Sequence, residues 1–481
     1  MADKAKDNQF VKEIADINKD FPQWYTDVVL KTELVDYGPV KGTMVIRPYG
    51  YEIWEHIQQE MDSRFKATGH KNAYFPLFIP YSFLVKEAEH VEGFAPEVAM
   101  VTHAGGEKLE EPLVVRPTSE TIIINMYSKW VQSYRDLPLL INQWCNVVRW
   151  EKTTRPFLRT SEFLWQEGHT LHRTEEDAQE EALKMLGVYV EFMKNVLAID
   201  VLSGTKTPKE RFAGAVETYS MEAMMLDGKA LQSGTSHYLG QNFSSSFEVK
   251  YLDSDGQLKN PYQTSWGTST RLIGAMIMAH GDERGLRLPP KVAPIQVVIV
   301  PIAAHKGGVL EKCEEIKKTL ESVGVRVFVD DRDQSAGFKF NDWEMKGVPC
   351  RMEVGPRDIE NHQVILVRRD THEKSTMPIS ELQTGIPAIL DNITKTMFEQ
   401  SSQHLYENIV RCENIDELKA AVDNGKFVET MWCGDEKCEE EIKAKTAASS
   451  RVMPFDQTPC GDKCVCCGKK GIKRIYFAKA Y

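Results

Sequence analysis

The spacing of hydrophobic residues predicts several helices and a strand in the N-terminal part of the chain. In Gly50–Thr68, large apolar side chains recur at close to the helical repeat of roughly 3.6 residues. Gly69 is well placed as the C-cap of this helix. The same spacing predicts helices over Asn8–Leu30 and Thr174–Leu197. Asn72–Pro80 is apolar and contains prolines, which predicts a strand at an edge or an interface.

An antiparallel hairpin is predicted over Val147–His169, where two alternating segments flank the polar loop Lys152–Arg155 and Pro156. One face of this hairpin combines aromatic rings, carboxylates and cations, which suits the lining of a pocket. A surface hairpin with cross-strand salt bridges is the alternative that the spacing leaves open. The residues on this face are Arg149, Glu151, Arg159, Ser161, Phe163, Trp165, Glu167 and His169.

The sequence RPTSE lies within Leu113–Tyr127, which predicts a strand followed by a helix. Thr118 or Ser119 suits the N-cap of that helix, and Glu120 suits its first turn. Capping alone would explain Thr118 and Glu120, and a place in a binding site is the other interpretation.

Gly267–His280 predicts a buried helix that carries Arg271 in its first turn, with Ser269 or Thr270 as the cap. A cation at this position opposes the helix dipole and costs up to about 1 kcal/mol. The cost is understandable if an anion binds at the helix start, because backbone N–H groups and a guanidinium both bind anions. An arginine that points into solvent is the alternative.

The pattern changes after the proline-rich linker Arg287–Pro294. Ile295–Pro301 is a continuous apolar run, as in a buried parallel strand. Helix and strand patterns then alternate, which predicts a small α/β domain. The predicted helices are Val309–Ser322, Phe338–Lys346 and Ile379–Ser401, and the predicted strands are Val325–Val329, Arg351–Val354 and Gln363–Arg368.

The composition is that of a soluble globular chain, with 42% hydrophobic and 27% charged residues. A length of 481 residues suggests about three domains. The sequence contains no run of about 18 apolar residues, so we expect no membrane span. The polar N-terminus lacks an apolar signal core, so we expect a cytoplasmic protein. The net charge of −11 argues against a general nucleic-acid coat protein but permits a local basic patch that contacts RNA.

Six of the ten cysteines lie between Cys433 and Cys467. In a cytosolic chain such a cluster indicates metal rather than disulfides, and four thiolates suit a structural Zn²⁺. Cys466 in place of Cys467, and free thiols without zinc, remain alternatives. The C-x-x-C-G spacing and the preceding cysteine pair favour as ligands Cys433, Cys438, Cys464 and Cys467.

Several segments occur in order along the chain: RPTSE, FLWQEGH, GTSH-x-x-GQNF and KGVPCRMEVGPRD. With them, the chain resembles the prolyl-tRNA synthetases of the archaeal and eukaryotic-like type, which lack an inserted editing domain. Motif 1 of the class II synthetases would be the helix and strand that end near Pro76, motif 2 the hairpin with Arg149, and motif 3 the helix with Arg271.

The resemblance implies three domains and a homodimer. Residues 1–287 would form an α+β catalytic domain, an antiparallel sheet with flanking helices. Residues 288–402 would form an α/β anticodon-binding domain, and residues 403–481 a small C-terminal α/β zinc-binding domain.

The implied activity is the ATP-dependent attachment of L-proline to tRNA(Pro) in two steps. Prolyl-adenylate would be the intermediate, pyrophosphate and AMP the products that are released, and Mg²⁺ the cofactor that accompanies ATP. About 60 residues separate His169 from Gln232, too few for an editing domain, so we expect no hydrolysis of mischarged tRNA. A threonyl or glycyl enzyme, or a non-catalytic RNA-binding relative, remains an alternative.

The resemblance also implies the roles of individual residues. Arg149 and Arg271 would be catalytic, because a planar guanidinium can bridge a carboxylate and a phosphate and because the second arginine would hold the γ-phosphate. Proline would be bound by Thr118, Glu120, Arg149, Phe163, Trp165, Glu167, His169, Phe212, His237 and Trp266. ATP would be bound by Arg149, Glu151, Arg159, Thr160, Gln232, Thr235, Ser269 and Arg271.

The anticodon would be bound by Arg351, Glu353 and Arg357. Arginine can recognise guanine edges and phosphates, and a carboxylate can accept hydrogen bonds from guanine. A carboxylate paired with Arg351 is the alternative for Glu353.

Overall fold

The structure, a computed structural model, describes residues 13–90 and 98–481. Three units follow one another along the chain, and each is built on its own main sheet. Across the described ranges, no helix has the length and apolar character needed to cross a membrane.

The N-terminal unit combines an antiparallel sheet with helices. Its strands are β1 (Val35–Tyr37), β2 (Met44–Ile46), β3 (Lys71–Asn72), β4 (Phe78–Pro80), β5 (Ala99–Ala104), β6 (Glu107–Val115), β7 (Leu139–Val148), β8 (Glu162–His172), β9 (Val201–Thr205), β10 (Glu217–Met224), β11 (Ala230–Gly240), β12 (Tyr251–Leu252), β13 (Leu258–Lys259) and β14 (Tyr262–Ser269). Its helices are α1 (Phe21–Lys31), α2 (Pro48–Ala67), α3 (Tyr81–His90), α4 (Glu120–Trp130), α5 (Glu175–Asn195), α6 (Asn242–Ser246) and α7 (Arg271–His280), with a 3-10 turn at Tyr134–Asp136.

The middle unit is an α/β domain, as the alternating pattern predicts. Its sheet has the order β16-β15-β17-β18-β19, parallel across β16, β15 and β17 and antiparallel beyond. The strands are β15 (Val297–Pro301), β16 (Val327–Val329), β17 (Cys350–Val354), β18 (Gln363–Arg368) and β19 (Lys374–Pro378). The helices are α8 (Val309–Glu321), α9 (Ala336–Met345), α10 (Pro356–Glu360) and α11 (Leu382–Glu407), preceded by a 3-10 turn at Ile379–Glu381.

The C-terminal unit has a four-stranded sheet in the order β20-β21-β24-β22. Its strands are β20 (Ile409–Arg411), β21 (Phe427–Trp432), β22 (Ser449–Ser450), β23 (Met453–Pro454) and β24 (Lys473–Ala478), and its helices are α12 (Ile415–Asp423) and α13 (Glu436–Thr446). The predicted boundary at residues 402/403 falls inside α11, so one continuous helix connects the middle and C-terminal units.

The main sheet of the N-terminal unit positions the candidate site. Its order is β23-β9-β10-β11-β14-β8-β7-β3. All neighbours are antiparallel except β3 and β7, and β23 is contributed by the C-terminal unit. Alternate side chains of a strand lie on opposite faces. On one face Trp266 packs against Phe65 of α2 and Tyr189 of α5, so the helices cover that face and the site lies on the other.

The helices predicted from spacing are present. α2 confirms the helix over Gly50–Thr68, and Gly69 follows it with a φ of 88°, the left-handed conformation of a C-cap. The helix predicted over Asn8–Leu30 is shorter, because the Asp20 carboxylate accepts a hydrogen bond from the Gln23 N–H at 3.0 Å and so begins α1 there. Residues 8–12 of that prediction lie outside the described part of the chain.

Some boundaries differ from the prediction near the site. The hairpin is confirmed, but β7 ends at Val148 and β8 begins at Glu162, so Arg149 and Glu151 lie in the connecting loop rather than on a strand. The Arg149 N–H still donates to the Ser161 carbonyl at 2.8 Å, so the loop continues the pairing by one bond.

Two other predicted elements are also shorter. The strand predicted over Asn72–Pro80 is present only as β3 and β4, with Pro76 between them. The helix predicted over Gly267–His280 begins at Arg271, because the three residues before Thr270 complete β14 and pair with β8.

Candidate active site

A cavity of about 330 Å³ lies on the face of the main sheet opposite α2 and α5. Strands β8, β10, β11 and β14, the starts of α4 and α7, and the chain after β9 all contribute to its walls. Its lining is Thr118, Glu120, Arg149, Phe163, Trp165, Glu167, His169, Lys206, Glu210, Phe212, Thr218, Gln232, Ser233, Gly234, Thr235, His237, Ser265, Trp266, Gly267, Thr268, Ser269 and Arg271. Of the face predicted for the second hairpin strand, Phe163, Trp165, Glu167 and His169 line this cavity, whereas Arg159 and Ser161 precede β8 and do not.

Arg149 lies at the mouth of the hairpin loop, above two aromatic rings. Its guanidinium carbon is 5.5 Å from the ring centroids of both Phe163 and Trp165. Its Nε donates to the Pro117 carbonyl at 3.0 Å, which fixes the plane of the guanidinium. Burial lowers the pKa of Arg149, although nearby carboxylates oppose this effect. Because that hydrogen bond uses Nε, the two terminal nitrogens keep the forked geometry that binds an oxyanion.

Carboxylates line one end of the cavity. Thr118 Oγ1 donates to the Glu120 carboxylate, and Glu167 accepts from Gln143 Nε2 at 2.9 Å. Helix α4 begins at Glu120, but neither Thr118 nor Ser119 caps it through its side chain. Capping is therefore not what holds Thr118 in place, and the alternative of a site residue is favoured.

Glu167 and His169 form a buried pair, with 2.9 Å between Oε2 and Nε2. Burial alone would raise the pKa of Glu167, but the hydrogen bond with His169 holds it below its usual range. Burial would lower the pKa of His169, and Glu167 raises it instead. The contact thus favours the charged form of each partner, beside the aromatic wall.

His237 stacks on Phe212 in the opposite wall, with ring centroids 4.6 Å apart. Its Nδ1 is 3.0 Å from Thr218 Oγ1. Burial lowers the pKa of His237 to about 3. The imidazole is therefore neutral near pH 7 and serves as a flat, partly polar wall.

Arg271 opens α7 at the other end of the cavity. The Ser269 hydroxyl accepts a hydrogen bond from the Arg271 N–H at 3.2 Å, whereas the side chain of Thr270 makes no capping bond. The Arg271 guanidinium donates to the carbonyls of Leu158 and Gln232 at 3.2 and 3.4 Å. These contacts keep the arginine inside the cavity, so the alternative of a solvated side chain is wrong.

The arginines around the cavity repel one another. Burial lowers the pKa of Arg271, and the charges of Arg159 and Arg149 lower it further. An anion with several negative oxygens would relieve this repulsion and would also meet the N–H groups at the start of α7.

Three predicted ATP-binding residues lie in the hairpin loop or beside it rather than in the cavity wall. Arg159 Nη1 is 3.6 Å from the Glu151 carboxylate. Thr160 Oγ1 donates to the Glu162 carbonyl at 2.7 Å.

Trp266, a predicted proline-binding residue, borders the cavity, but its ring packs into the core beneath the sheet. It therefore supports the pocket wall from behind.

Several residues that line the cavity could not be identified from the sequence. They lie on β10, β11 and β14, or follow β9. They are Lys206, Glu210, Thr218, Ser233, Ser265 and Thr268. The register of β10 with β11, which aligns Thr218 with His237, would have identified Thr218 had the pairing been known.

The predicted anticodon residues lie on β17 and at the start of α10, in the middle unit. The Arg351 guanidinium carbon is 4.0 Å from the ring centroid of Phe340. Glu353 pairs with Arg351 and with Lys374, at 3.1 Å in each case. The pairing offered as the alternative for Glu353 is thus present, and Arg357 is exposed beside it.

Four cysteines converge in the C-terminal unit. The sulfur atoms of Cys433, Cys438, Cys464 and Cys467 all lie within 4.8 Å of one another, and this group is the one that the spacing predicts. Cys433 follows β21, Cys438 lies on α13, and the other two belong to the turn before β24. Cys466, the alternative fourth ligand, is not a member of the group.

Models of known families match three parts of the chain. One described as "tRNA synthetase class II core domain (G, H, P, S and T)" matches residues 102–280, and one described as "Anticodon binding domain" matches residues 296–389. One described as "Prolyl-tRNA synthetase, C-terminal" matches residues 415–481. The antiparallel sheet and its arginine-lined cavity therefore form the core of a class II aminoacyl-tRNA synthetase.

Curated relatives match the chain along its length. Proline--tRNA ligase 2 of Clostridioides difficile (strain 630) is 60% identical over 477 residues, which is 99% of each chain. Proline--tRNA ligase of Alkaliphilus oremlandii (strain OhILAs) is 59% identical over 478 residues, again 99% of each chain. This chain belongs to the prolyl-tRNA synthetase family.

A solved structure agrees with this assignment. The crystal structure of prolyl-tRNA synthetase from Cryptosporidium parvum, complexed with halofuginone and AMPPNP, has a TM-score of 0.93 and 44% identity. The match covers 97% of this chain and 99% of that chain. The family, the fold class and the class of enzyme predicted from the sequence are confirmed.

Proposed function

We propose that the chain attaches L-proline to tRNA(Pro) with ATP, through prolyl-adenylate, and releases pyrophosphate and AMP. The observation that carries the proposal is the position of Arg149, which lines the cavity, is close to the carboxylates of Glu120 and Glu167, and acts through its charge on the second arginine, Arg271. A carboxylate and a triphosphate are both anionic, so bringing them together requires fixed positive charge between them.

Proline would occupy the end of the cavity at the start of α4. Its secondary ammonium has two N–H groups, and Thr118 and Glu120 supply acceptors for them. Its ring would lie among aromatic side chains, where Phe163 and Trp165 form an edge-to-face pair with centroids 6.0 Å apart. Glu167, His169, Phe212 and His237 complete this part of the cavity, and Trp266 supports it from behind.

ATP would occupy the end of the cavity at the start of α7. Arg149 would bridge the proline carboxylate and the α-phosphate, and Arg271 would hold the γ-phosphate. Gln232, Thr235 and Ser269 lie on the same side, and Glu151, Arg159 and Thr160 belong to the adjoining loop. The first step is then attack of the proline carboxylate oxygen on the α-phosphorus, with the P–O bond to pyrophosphate breaking.

The second step joins proline to the terminal ribose of the tRNA. A ribose hydroxyl attacks the activated carbonyl, its proton is lost, and AMP leaves. The described side chains do not have to supply a nucleophile in either step, so positioning and charge account for the catalysis.

Mg²⁺ would accompany ATP and would supply neutralisation of phosphate charge. The oxygen atoms of Glu151 and Gln232 are hard donors on the side proposed for ATP, a type of ligand that suits this ion.

The four-thiolate group suits Zn²⁺, because soft sulfur ligands that converge within 4.8 Å match a closed tetrahedral site. We place zinc there as a structural ion, with ligands Cys433, Cys438, Cys464 and Cys467.

The anticodon would be bound by Arg351, Glu353 and Arg357. Lys374 adds charge beside them, and the ring of Phe340 lies against Arg351. We propose domain limits at residues 287/288 and 402/403, the second of which lies within the connecting helix α11.

A homodimer is supported by exposed apolar side chains around the small sheet of β4, β5 and β6. Tyr74 is 70% exposed, and Phe78, Tyr81 and Met100 are each 40% exposed or more. Such a patch suits an interface. Sedimentation of the purified protein at twice the chain mass supports the dimer, and sedimentation at the chain mass contradicts it. A cytoplasmic location would supply the tRNA and a reducing environment for the thiols.

Proline-dependent exchange of pyrophosphate into ATP tests the first step of the proposed function. Exchange with proline, and at least about 100-fold less with threonine or glycine at equal concentration, would support it. Glycine lacks the ring methylenes, each worth about 1–3 kcal/mol in an apolar pocket, and threonine would bring a hydroxyl group against the aromatic wall. Exchange with another amino acid but not with proline would overturn it, and no exchange with any amino acid would indicate a non-catalytic relative.

We also propose that the chain does not edit its own products. The stretch between His169 and Gln232 is occupied by α5, β9 and β10, which belong to the main sheet and its covering layer. Rapid hydrolysis of alanyl-tRNA(Pro) by the purified enzyme would contradict this proposal, and a rate equal to that without enzyme would support it.

A further inference from the structure

A buried cluster of three charged side chains joins the C-terminal unit to the floor of the cavity. Lys206, just after β9, donates through Nζ to Glu222 Oε1 at 2.7 Å. Arg451, just after β22, donates through Nε and Nη2 to Glu222 Oε2, at 3.1 and 2.7 Å. Each of the three residues is less than 10% exposed. The cluster contains two cations and one carboxylate, so one positive charge is left without a negative partner inside the cluster.

The strand register places the partner of the Lys206 ammonium group opposite Gln232, on the side of the cavity proposed for ATP. The Lys206 N–H donates to the Thr218 carbonyl at 2.8 Å, and Thr218 is aligned with His237 in the amino-acid pocket. The side chain extends from there to Glu222, which is aligned with Gln232 on β11. The backbone carbonyl of Gln232 accepts a hydrogen bond from Arg271 Nη1.

The lysine has donor capacity to spare. An ammonium group has three N–H donors, and within the described residues the hydrogen bond recorded for Lys206 Nζ is the one to Glu222. Lys206 also lines the cavity. The charged groups near Lys206 have both signs. Burial lowers the pKa of Lys206 and the Glu210 carboxylate opposes this effect, and Glu222 and Arg451 shift the pKa of Arg271 in opposite directions. The cluster that holds Lys206 therefore lies near the arginine that would meet the phosphates.

We propose that Lys206 is a further substrate-binding residue that presents its ammonium group to phosphate oxygens, and that Glu222 and Arg451 are positioning residues that hold it there. The inference rests on the proposed function. Phosphate oxygens could come from the triphosphate of ATP or from the phosphodiester at the 3′ end of tRNA. Arg451 belongs to the C-terminal unit, so docking of that unit completes the cavity floor.

The test measures KM values for wild type, Lys206→Met, Lys206→Arg and Arg451→Met. Pyrophosphate exchange gives the KM for ATP and for proline, and aminoacylation gives the KM for tRNA. The matched control is Lys209→Met. Lys209 also crosses between the two units, to Glu440 at 2.6 Å, but it lies outside the cavity lining.

The expected result for Lys206→Met is a KM increase of about tenfold or more for one phosphate-bearing substrate, since a lost charge-assisted hydrogen bond has an effect of that order. The KM for proline should stay within about twofold. An increase for ATP in the exchange assay assigns the triphosphate. An unchanged exchange with an increased KM for tRNA assigns the 3′ end. Lys206→Arg should recover most of the loss, and Arg451→Met should shift the KM of the same substrate.

Three results would overturn the inference: unchanged KM values in Lys206→Met, an equal rise for proline, or the same change in Lys209→Met. If Arg451→Met leaves every KM unchanged, Arg451 is not a positioning residue. Should Lys206→Met fail to fold, Lys206→Gln replaces it, because a neutral amide removes the charge but can still donate a hydrogen bond to Glu222, which keeps its pair with Arg451. Wild type without proline-dependent exchange would instead refute the proposed function, whatever the variants do.

Discussion

At the residue scale, the geometry of a few side chains decides the chemistry. Arg149 is held by one hydrogen bond through Nε and by two rings beneath it. A lysine in its place would keep the charge but would lose the forked pair of nitrogens that can touch two oxyanions together.

We therefore expect Arg149→Lys to lower proline-dependent pyrophosphate exchange by about 100-fold or more, the effect of losing a preorganised charge contact in a transition state. Steady-state exchange rates measure it. The control is Arg135→Lys, because Arg135 also lies over a ring, that of Tyr134, but outside the cavity. Exchange that survives nearly intact in Arg149→Lys would show that this arginine is not the bridge.

Burial of His237 makes the free energy of unfolding depend on pH. Burial lowers its pKa to about 3, against about 6.5 in an unfolded chain. The unfolded state therefore binds the proton first as the pH falls. The contribution of His237 to the free energy of unfolding is therefore full above about pH 6.5. Between about pH 6.5 and pH 3 it falls by about 1.4 kcal/mol for each pH unit.

Urea unfolding at several pH values between about 7 and 4 measures this effect. The free energy of unfolding should fall less steeply with falling pH in His237→Asn than in wild type. His305→Asn, at an exposed position, should keep the wild-type slope. Equal slopes in wild type and His237→Asn would contradict the prediction.

At the element scale, β8 and β14 pair in the interior of the main sheet, and a glycine permits their close packing. A Cβ atom on Gly168 would lie 2.1 Å from the Trp266 ring, which is enclosed by Phe65 and Tyr189. No shift of a flexible chain end could relieve this overlap, because the tryptophan is buried on all sides.

Gly168→Ala should lower the free energy of unfolding by about 3 kcal/mol or more, since overpacking a core costs about 1–3 kcal/mol even where some relaxation is possible. Gly187→Ala is the matched control. Gly187 lies on α5 with nothing within 4 Å of an added Cβ, so alanine there should stabilise by about 0.5–1 kcal/mol. Denaturant unfolding compares them, and equal effects of the two substitutions would refute the packing argument.

The elements also show which parts of the site could be predicted from the sequence. Alternation located Phe163, Trp165, Glu167 and His169 on one face, because a strand has a fixed period of two. It did not show that Arg149 lies beyond the end of β7, nor that its side chain is held by the distant carbonyl of Pro117.

The missed residues share one physical cause. Lys206 and Thr218 reach the cavity through pairing between strands that are separated along the chain, and local spacing carries no information about such pairing. Trp266 was expected to face proline, but its position in β14 turns its ring to the core.

At the scale of the whole molecule, the C-terminal unit is part of the framework of the catalytic sheet. Its strand β23 pairs with β9, through Met453 and Thr205. Gly204 allows this approach, because a Cβ there would lie 2.1 Å from the Met453 carbonyl oxygen. A metal site that stabilises the C-terminal unit would therefore also stabilise the edge of the main sheet.

We expect one zinc ion per chain by native mass spectrometry, and its loss in Cys433→Ser. Cys460→Ser should retain the ion, and Cys466→Ser should retain it if Cys467 is the fourth ligand. Loss of zinc should increase hydrogen exchange in β9. Retention of zinc in Cys433→Ser, or a wild-type protein without metal, would contradict the assignment.

The pairing of β23 with β9 has a consequence for the newly made chain. During synthesis from the N-terminus, every other strand of the main sheet leaves the ribosome before Met453 does. Until then the backbone of β9 is an open edge, and open edges promote pairing with other chains. A message that stops before this strand would thus give a product whose sheet is nearly complete but prone to aggregate, which makes full-length translation a condition for solubility as well as for activity.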